Sequence, residues 1–178
     1  KSKDIELPYE IEHIYPDYSL YKITDTAYGF MSRGCPRGCG FCHVKEKEGL
    51  CSHKVADLKE FWNNQKNIVL LDPNTLACKD WKSILQQLID SKAYVEFSQG
   101  VDIRLMTEEK AEMLKQIKVK HIHFAWDRYE DKKIIAPKLK KFKEITKWGR
   151  KKVSCYVLVG FDTTMDQNLE RIMFLRSL

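Results

Sequence analysis

The stretch AYGFMSRGCPRGCGFC (residues 27–42) joins an apolar run to a loop rich in cysteine and glycine. The apolar run has the composition of a short β-strand. The loop spaces Cys35, Cys39 and Cys42 as C-x3-C-x2-C, and its glycines let a short backbone turn back so that three thiolates converge on one centre. The stretch therefore predicts a strand that ends in a loop for a metal ion or a cluster.

The rest of the chain alternates apolar runs of strand character with segments of helical spacing. The predicted strands are 27–32, 68–71, 94–97, 121–125 and 153–159. Five helices are predicted from their apolar residues. The first carries Val55, Leu58, Phe61 and Trp62, and the second, after Asp80 as N-cap, carries Trp81, Ile84, Leu85 and Leu88. The third carries Ala111, Leu114 and Ile117 after Thr107 as N-cap; the fourth begins at Pro137, carries Leu139, Phe142 and Ile145 and stops at Gly149; and the fifth carries Leu169, Ile172 and Met173.

Five such β-then-α units predict an α/β fold with a parallel sheet and outer helices. Both an open doubly wound sheet and a partial (β/α) barrel of five to six strands fit this pattern. Residues 1–26 do not fit it, and their prolines and tyrosines predict an extended lead-in segment. Residues 27–178 are then the partial barrel, and we expect the sequence to be a piece of a longer protein.

Composition excludes several protein classes. The chain has 178 residues, is 43% hydrophobic and carries a net charge of +6, so it is neither disordered nor crossed by an apolar run long enough for a membrane span. Six cysteines, three of them clustered, favour a reducing, cytoplasmic setting over a disulfide framework. Ten basic residues and one acid lie between Lys132 and Lys152, which indicates either a solvated helix face or a nucleic-acid surface.

Small and polar residues follow the predicted strands, at the edge where α/β folds bind ligands. Loop polarity explains part of this pattern, but amide, carboxylate and glycine groups also suit a polar ligand. We expect Trp126, at the end of the fourth strand, to project into that pocket. The other residues that follow the strands are Asp72, Asn74, Gln99, Asp102, Arg104, Asp127, Gly160 and Phe161.

The two-residue period of the strands also predicts an inner face. Glu96 should lie on it near His123 of the neighbouring strand, opposite the apolar residues that face the helices. The pair is either a buried structural contact or a proton-handling pair beneath the ligand. Glu96, His123 and Trp126 are therefore the candidate catalytic residues.

The three clustered thiolates are soft ligands, which bind zinc, Cu(I) or an iron–sulfur cluster. Their position after the first strand and the lack of an obvious fourth ligand favour a cluster that leaves one iron open. His43, Cys51 and His53 are available as a fourth ligand. A non-catalytic module stabilised by a Cys₃His zinc site therefore remains an alternative.

The three cysteines, with the aromatic Phe41 before the last one, resemble the cluster motif of the radical S-adenosylmethionine superfamily. The likeness runs through all five strand ends. Residues 34–37 (GCPR) and 99–104 (QGVDIR) are similar to the branch that includes the methylthiotransferases and the cobalamin-dependent members. The family's barrels usually have six βα units, so the resemblance places a further unit or domain outside these residues.

The resemblance implies a [4Fe–4S] cluster on Cys35, Cys39 and Cys42, whose open iron chelates S-adenosylmethionine. An external one-electron reductant then drives cleavage to methionine and a 5′-deoxyadenosyl radical, which abstracts hydrogen from a substrate. The resemblance implies that Asp72 and Asn74 contact the methionine amino group, at the place where the family usually has Gly-Gly-Glu. It implies Gln99, Asp102 and Arg104 for the methionine carboxylate and the ribose, and Asp127 for the ribose hydroxyls. The implied adenine contacts are Gly160, Phe161 and the Phe41 backbone.

The resemblance leaves the substrate open among small molecules, peptides and RNA. A methylthiotransferase-like enzyme that modifies tRNA or another RNA is the alternative within the enzymes, because of the basic stretch and the loop at residues 34–37. Cobalamin serves part of the branch, but no residue of this chain supports it.

Overall fold

A computed structural model describes residues 7–178 as an α/β fold. The strands are β1 (Thr26–Gly29), β2 (Ser32–Arg33), β3 (His53–Lys54), β4 (Asn67–Leu70), β5 (Tyr94–Phe97), β6 (Lys118–Ala125) and β7 (Val153–Tyr156). The helices are α1 (Tyr9–Glu12), α2 (Val44–Lys47), α3 (Trp81–Ser91), α4 (Glu108–Gln116), α5 (Lys132–Thr146) and α6 (Met165–Ser177).

The main sheet has five parallel strands in the order β1-β4-β5-β6-β7. Each strand lies beside the next main-sheet strand along the chain, so the chain crosses the sheet in one direction. A doubly wound sheet reverses its direction, and this alternative is therefore wrong. Within the described residues β1 and β7 each have one neighbour in this sheet, which leaves the sheet open there.

The apolar strand residues and the helices form one core, which confirms the parallel sheet flanked by helices. From the strands come Ile68, Leu70, Val95, Phe97, Ile122 and Phe124, and from the helices Ile84, Leu85, Leu88, Ala111, Leu114, Leu139 and Phe142. Each residue in these sets is at most 5% exposed. At ~25 cal/mol per Å² of apolar surface, this burial is the dominant stabilising contribution.

A β-bulge at Lys120 sets the inner face of the sheet. Val95 pairs with Val119 but Glu96 pairs with His121, so Lys120 has no partner on β5. The extra residue shifts the alternation of β6. As a result Ile122 faces the helices, while His121 and His123 face the other side.

The structure changes several predicted boundaries. The first strand ends at Gly29, and Ser32 begins the separate two-stranded ladder β2–β3. The fifth strand ends at Tyr156 rather than residue 159. Asp80 holds the N-cap position of α3 without a side-chain hydrogen bond, whereas Thr107 caps α4 through the backbone N–H of Lys110.

The helix predicted around residues 55–62 is wrong, because only Leu58–Glu60 form a 3₁₀ turn. An Asp57–Glu60 capping box begins the turn. The side chain of Gln87, from α3, accepts from the Leu58 backbone N–H and donates to the Asp57 carboxylate. These contacts satisfy the local polar groups without further helical turns.

The predicted ends of α5 are also wrong. Pro137 lies inside the helix, because α5 continues directly from a 3₁₀ turn at Tyr129–Asp131. A proline there lacks the N–H that would bond to the Lys133 carbonyl. The helix ends at Lys147, which takes the left-handed conformation (φ 58°), rather than at Gly149.

Helix α6 turns its predicted apolar stripe outward. Leu169, Ile172 and Met173 are exposed, while Asn168 and Arg171 are buried. The fully buried residues of α6 are thus polar, and the partly buried Phe174 and Leu175 supply its apolar contacts with the core.

The described part of the lead-in segment, residues 7–26, contains α1 and a 3₁₀ turn at Tyr18–Leu20 rather than a purely extended chain. The remainder of that prediction lies outside the described residues. Tyr18 Oη donates to the Phe61 carbonyl (2.8 Å), and His13 pairs with Glu60. These contacts fix the segment beside β1. None of the helices within residues 7–178 has both the length and the apolar character needed to cross a membrane.

Candidate cofactor-binding site

The cysteine loop leaves the carboxyl end of β1 and is held by the segment before β3. Gly34 has φ +80°, and a Cβ placed there would lie 2.1 Å from the Cys51 carbonyl oxygen. The Gly34 N–H donates to Glu48 Oε2 (3.0 Å), and the Cys35 N–H donates to the Gly49 carbonyl (3.2 Å). Only glycine combines this conformation with this close approach, so Gly34 fixes where the loop begins.

Asp72 anchors the start of the same loop from the end of β4. Its carboxylate accepts from the backbone N–H groups of Met31 and Ser32 (both 2.8 Å) and from Ser32 Oγ (2.6 Å). The side chain is buried, and burial raises the pKa of Asp72 to about 6 although these donors oppose the shift. Asp72 does not line the cavity beside the cysteines, so its position favours an anchoring role over the predicted contact with the methionine amino group.

The three cysteines line one cavity of about 150 Å³ at the carboxyl ends of the strands. All three thiols are free. Burial raises the pKa of Cys39; Arg104 opposes this shift, and Cys42 and Cys35 add to it. The mutual influence of the sulfurs is expected for ligands gathered around one volume.

Asn74 contributes to this cavity as predicted. Its Nδ2 donates to Cys35 Sγ (3.4 Å). Its Oδ1 is buried and has no hydrogen-bond partner within the described structure. A buried amide oxygen without a partner is costly, so this atom is an acceptor available to a bound donor such as an amine.

Among residues 7–178, no three His, Cys, Asp or Glu side chains converge closely enough to hold one metal ion. Three free thiols around one cavity are a donor set that suits a cluster in which each thiolate binds a different iron.

A chain of alternating charges ties the cysteine loop to the segment after β5. Asp102 accepts from Arg37 Nε and from Arg104 Nε (both 2.8 Å), and Arg104 Nη1 donates to Asp131 (2.6 Å). Burial alone would raise the pKa of Asp102, but the two guanidiniums outweigh it and hold that pKa below its ordinary value. Asp102 is thus an anionic anchor, while the exposed Gln99 amide lines the cavity as a contact for a ligand.

A second cavity of about 420 Å³ adjoins the first and shares Arg37, Cys39 and Asp127 with it. Burial raises the pKa of Asp127, opposed by a backbone hydrogen bond from Leu158. Phe41 and Phe161, both predicted adenine contacts, meet edge to face with ring centroids 5.4 Å apart. The residues predicted for the ribose and the adenine therefore border the same opening.

Gly160, directly before Phe161, has a left-handed backbone (φ 73°) and a Cβ position with no atom within 4 Å. Its conformation turns the chain after β7 toward this opening. Among the described residues it does not line either cavity, so the predicted adenine contact falls on its neighbour Phe161.

Arg171 was not predicted from the sequence, although it holds two of these loops together. It is 0% exposed, and its Nη1 donates to the carbonyls of Trp126 and Asp127, while its Nη2 donates to the Leu158 carbonyl (2.9 Å). No local sequence signal identified it, because the predicted apolar stripe of α6 lay at Leu169, Ile172 and Met173. Arg171 thus joins the ends of β6 and β7 and positions the Asp127 backbone.

The inner face of the sheet carries a stack of rings below the cavity. The His121 and His123 ring centroids are 4.4 Å apart, and those of His123 and Tyr156 are 5.1 Å apart. Ser154 Oγ lies 2.6 Å from His123 Nδ1 and 3.3 Å from His121 Nε2. The expected orientation of His123 away from the helices is confirmed.

Glu96 pairs in register with His121, not with His123; without the β-bulge it would pair with Lys120. Burial lowers the pKa of His123, His121 adds to this, and Glu96 opposes it. The structure brings Glu96 near the histidines, and its influence on His123 is electrostatic.

Trp126 does not project into the pocket, and that prediction is wrong. Its ring is 1% exposed and meets Phe174 of α6 edge to face, with centroids 5.6 Å apart. Its Nε1 donates to the Arg128 carbonyl (3.1 Å). Packing of α6 on the end of β6 draws the indole into the core.

The comparisons with known proteins add no relative. The chain matches no protein-family model and no curated protein sequence. Its function is therefore inferred from the geometry and chemistry of the site.

Proposed function

We propose that this chain is a catalytic domain of the radical S-adenosylmethionine type, with its parallel sheet forming part of a (β/α) barrel. The observation that carries the proposal is the common cavity of Cys35, Cys39 and Cys42 at the carboxyl ends of the strands. Three unbridged thiols and polar side chains from four successive strand ends border it. Ligands of parallel α/β folds bind at this edge.

The three cysteines would hold a [4Fe–4S] cluster through their thiolates. When bound, such a cluster supplies an electron from an external reductant and one open iron site for S-adenosylmethionine, whose cleavage to methionine and a 5′-deoxyadenosyl radical starts hydrogen abstraction from a substrate. Asn74 would donate to the Cys35 sulfur, a contact of the kind that tunes cluster potentials.

The remaining residues bind and orient the cofactor. The free Asn74 Oδ1 suits the methionine amino group, and Gln99 lines the cavity where the carboxylate would lie. Asp127 offers a carboxylate for the ribose hydroxyls, and Phe41 and Phe161 offer apolar faces for adenine. Arg104 supplies positive charge between the two cavities.

The test is anaerobic reconstitution with iron and sulfide, followed by reduction in the presence of S-adenosylmethionine. We expect a cluster spectrum and 5′-deoxyadenosine as product. Cys39→Ser should abolish both. Cys155→Ser is the matched control, because burial raises the pKa of Cys155 to about 12 and its thiol packs against the core. Purification with one zinc and no iron would instead support the zinc module.

A further inference from the structure

The amino ends of the parallel strands carry a row of basic residues, on the edge opposite the cysteines. Parallel strands begin at the same edge of a sheet, so residues that precede successive strands are neighbours. Lys66 precedes β4, Lys92 precedes β5, Lys118 begins β6 and Lys152 precedes β7. We call these four residues, with Lys120, Lys147, Arg150 and Lys151, the basic edge.

The strand register confirms that parts of this row are adjacent. Tyr94 pairs with Asn67 on one side and Lys118 on the other. The Lys118 ammonium lies 5.7 Å from the centroid of the Tyr94 ring, and Lys152 lies 5.3 Å from the centroid of the Trp148 ring. The basic edge therefore places two aromatic rings beside its charges.

The basic edge has no carboxylate partners within residues 7–178: none of its eight cations lies within 4 Å of an acidic oxygen there. All eight are exposed. By contrast, Lys132 and Lys141 of α5 pair with Glu170 and Glu108. The basic stretch that the sequence indicated is thus divided: its end at residues 147–152 has no acidic partner within residues 7–178 and joins lysines from other strands.

Helix dipoles explain only part of this arrangement. Cations are favourable at helix C-termini, which accounts for Lys92 after α3 and Lys147 after α5. Lys118 and Lys120 lie on a strand, and Lys151 and Lys152 directly precede one. Their clustering on one edge calls for a partner with negative charge.

We propose that the basic edge binds single-stranded nucleic acid. Four strands at about 4.8 Å spacing spread the charges over about 14 Å, enough for several consecutive phosphates. The exposed ring of Tyr94 is a surface of the kind on which unpaired bases stack, and the partly buried Trp148 offers a second, smaller one. This surface is distinct from the cysteine cavity and stands independently of the radical chemistry.

The test is fluorescence anisotropy with labelled oligouridylate and oligothymidylate of ~20 nucleotides, at about 50 and about 200 mM salt. The variant combines Lys118→Glu, Lys151→Glu and Lys152→Glu. We expect at least ~10-fold weaker binding and a shallower salt dependence. The matched control combines Lys133→Glu, Lys140→Glu and Lys143→Glu, which makes the same charge change on α5 and should cost about twofold at most.

Comparable affinity for both oligomers supports recognition of the phosphate backbone, and tighter binding of oligouridylate supports RNA as the partner. Equal losses in the two variants, no binding by the wild type, or binding only to anionic lipid vesicles would overturn the proposal. Lys→Gln versions at the same three edge positions repeat the test if charge reversal disturbs the circular dichroism spectrum. Cofactor cleavage, measured on the same variants, should be unchanged.

Discussion

At the carboxyl ends of the strands, charged side chains pair with each other or with backbone groups, whereas the cations at the amino ends have no acidic partner within residues 7–178. Asp102 binds two arginines, and Arg171 binds three backbone carbonyls. Lys118 and Lys152 instead lie over aromatic rings at the surface. The carboxyl edge of the sheet is therefore preorganised by specific contacts, whereas the amino edge would attract a ligand through its positive electrostatic potential. Substitutions should be costly at the first edge and nearly neutral for stability at the second.

Arg171→Met should have the largest effect on stability. It would leave three carbonyls without their donor: that of Trp126, which is buried, and those of Asp127 and Leu158, which are partly buried. We expect the free energy of unfolding to fall by about 3 kcal/mol or more. Urea denaturation measures this. Arg176→Met, on the exposed side of the same helix, is the control and should change stability by about 0.5 kcal/mol at most.

Gly34→Ala should follow. The new Cβ would meet the Cys51 carbonyl in a backbone conformation unsuited to alanine, at a cost of about 2–3 kcal/mol. Because the same residue sets the start of the cysteine loop, iron bound after reconstitution should also fall. Gly38→Ala lies in the same loop, where nothing lies within 4 Å of the added Cβ. If both alanine variants bind iron like the wild type, the loop is not preorganised by Gly34.

Asp72, at the carboxyl edge of the sheet, should make the free energy of unfolding depend on pH. Its folded pKa of about 6 exceeds the unfolded value of ~3.9, so the folded state holds the extra proton between these values. The stability contributed by protonated Asp72 is present below about pH 4 and is lost as pH rises through 6.

Asp72→Asn should remove this dependence. The difference in unfolding free energy between wild type and variant should then change by about 2 kcal/mol between about pH 4.5 and about pH 7, in favour of the wild type at the lower pH. The exposed Asp162→Asn is the control for the general effect of removing a carboxylate. A pH-independent difference for Asp72→Asn would show that the hydrogen bonds of Asp72 cancel the effect of its burial on the pKa.

The smallest effect is expected at the amino edge. Lys118→Gln removes an exposed charge that has no acidic partner in the described structure, so stability should change by less than about 0.5 kcal/mol. The midpoint of thermal unfolding checks this. A larger loss would show that the stack of Lys118 on Tyr94 stabilises the sheet, and the contrast between the two edges would weaken.

Local patterns predicted the sheet well because the alternation of apolar and polar residues within a strand depends on which of its faces is buried. The alternation of Ile122 and Phe124 with the histidines identified both faces of β6, and the cysteine spacing identified the loop. The same patterns did not show the partners of polar groups. Nothing next to Arg171 in the sequence reveals that three carbonyls from other loops surround it. The Glu96 pairing also depended on a bulge that periodicity does not register.

Helix boundaries were missed for a related reason. Proline usually begins a helix, but the 3₁₀ turn before α5 carries the chain into helical geometry before Pro137 is reached. Trp126 was expected in the pocket because it follows a strand. Its burial depends on Phe174, which α6 brings from nearly fifty residues away along the chain. The position of Pro137 thus depends on the turn before it, and the burial of Trp126 depends on a helix far along the chain.

Helix α6 has only two fully buried residues, and this should make it open locally more readily than the other long helices. Helix α3 buries Ile84, Leu85, Leu88 and Ile89, whereas the buried residues of α6 are Asn168 and Arg171. Units that bury little apolar surface open locally at the lowest free energy. We expect the amides of α6 to exchange with deuterium sooner than those of α3. Each such opening would release the loop that carries Phe161, so access to the larger cavity is coupled to local opening of α6.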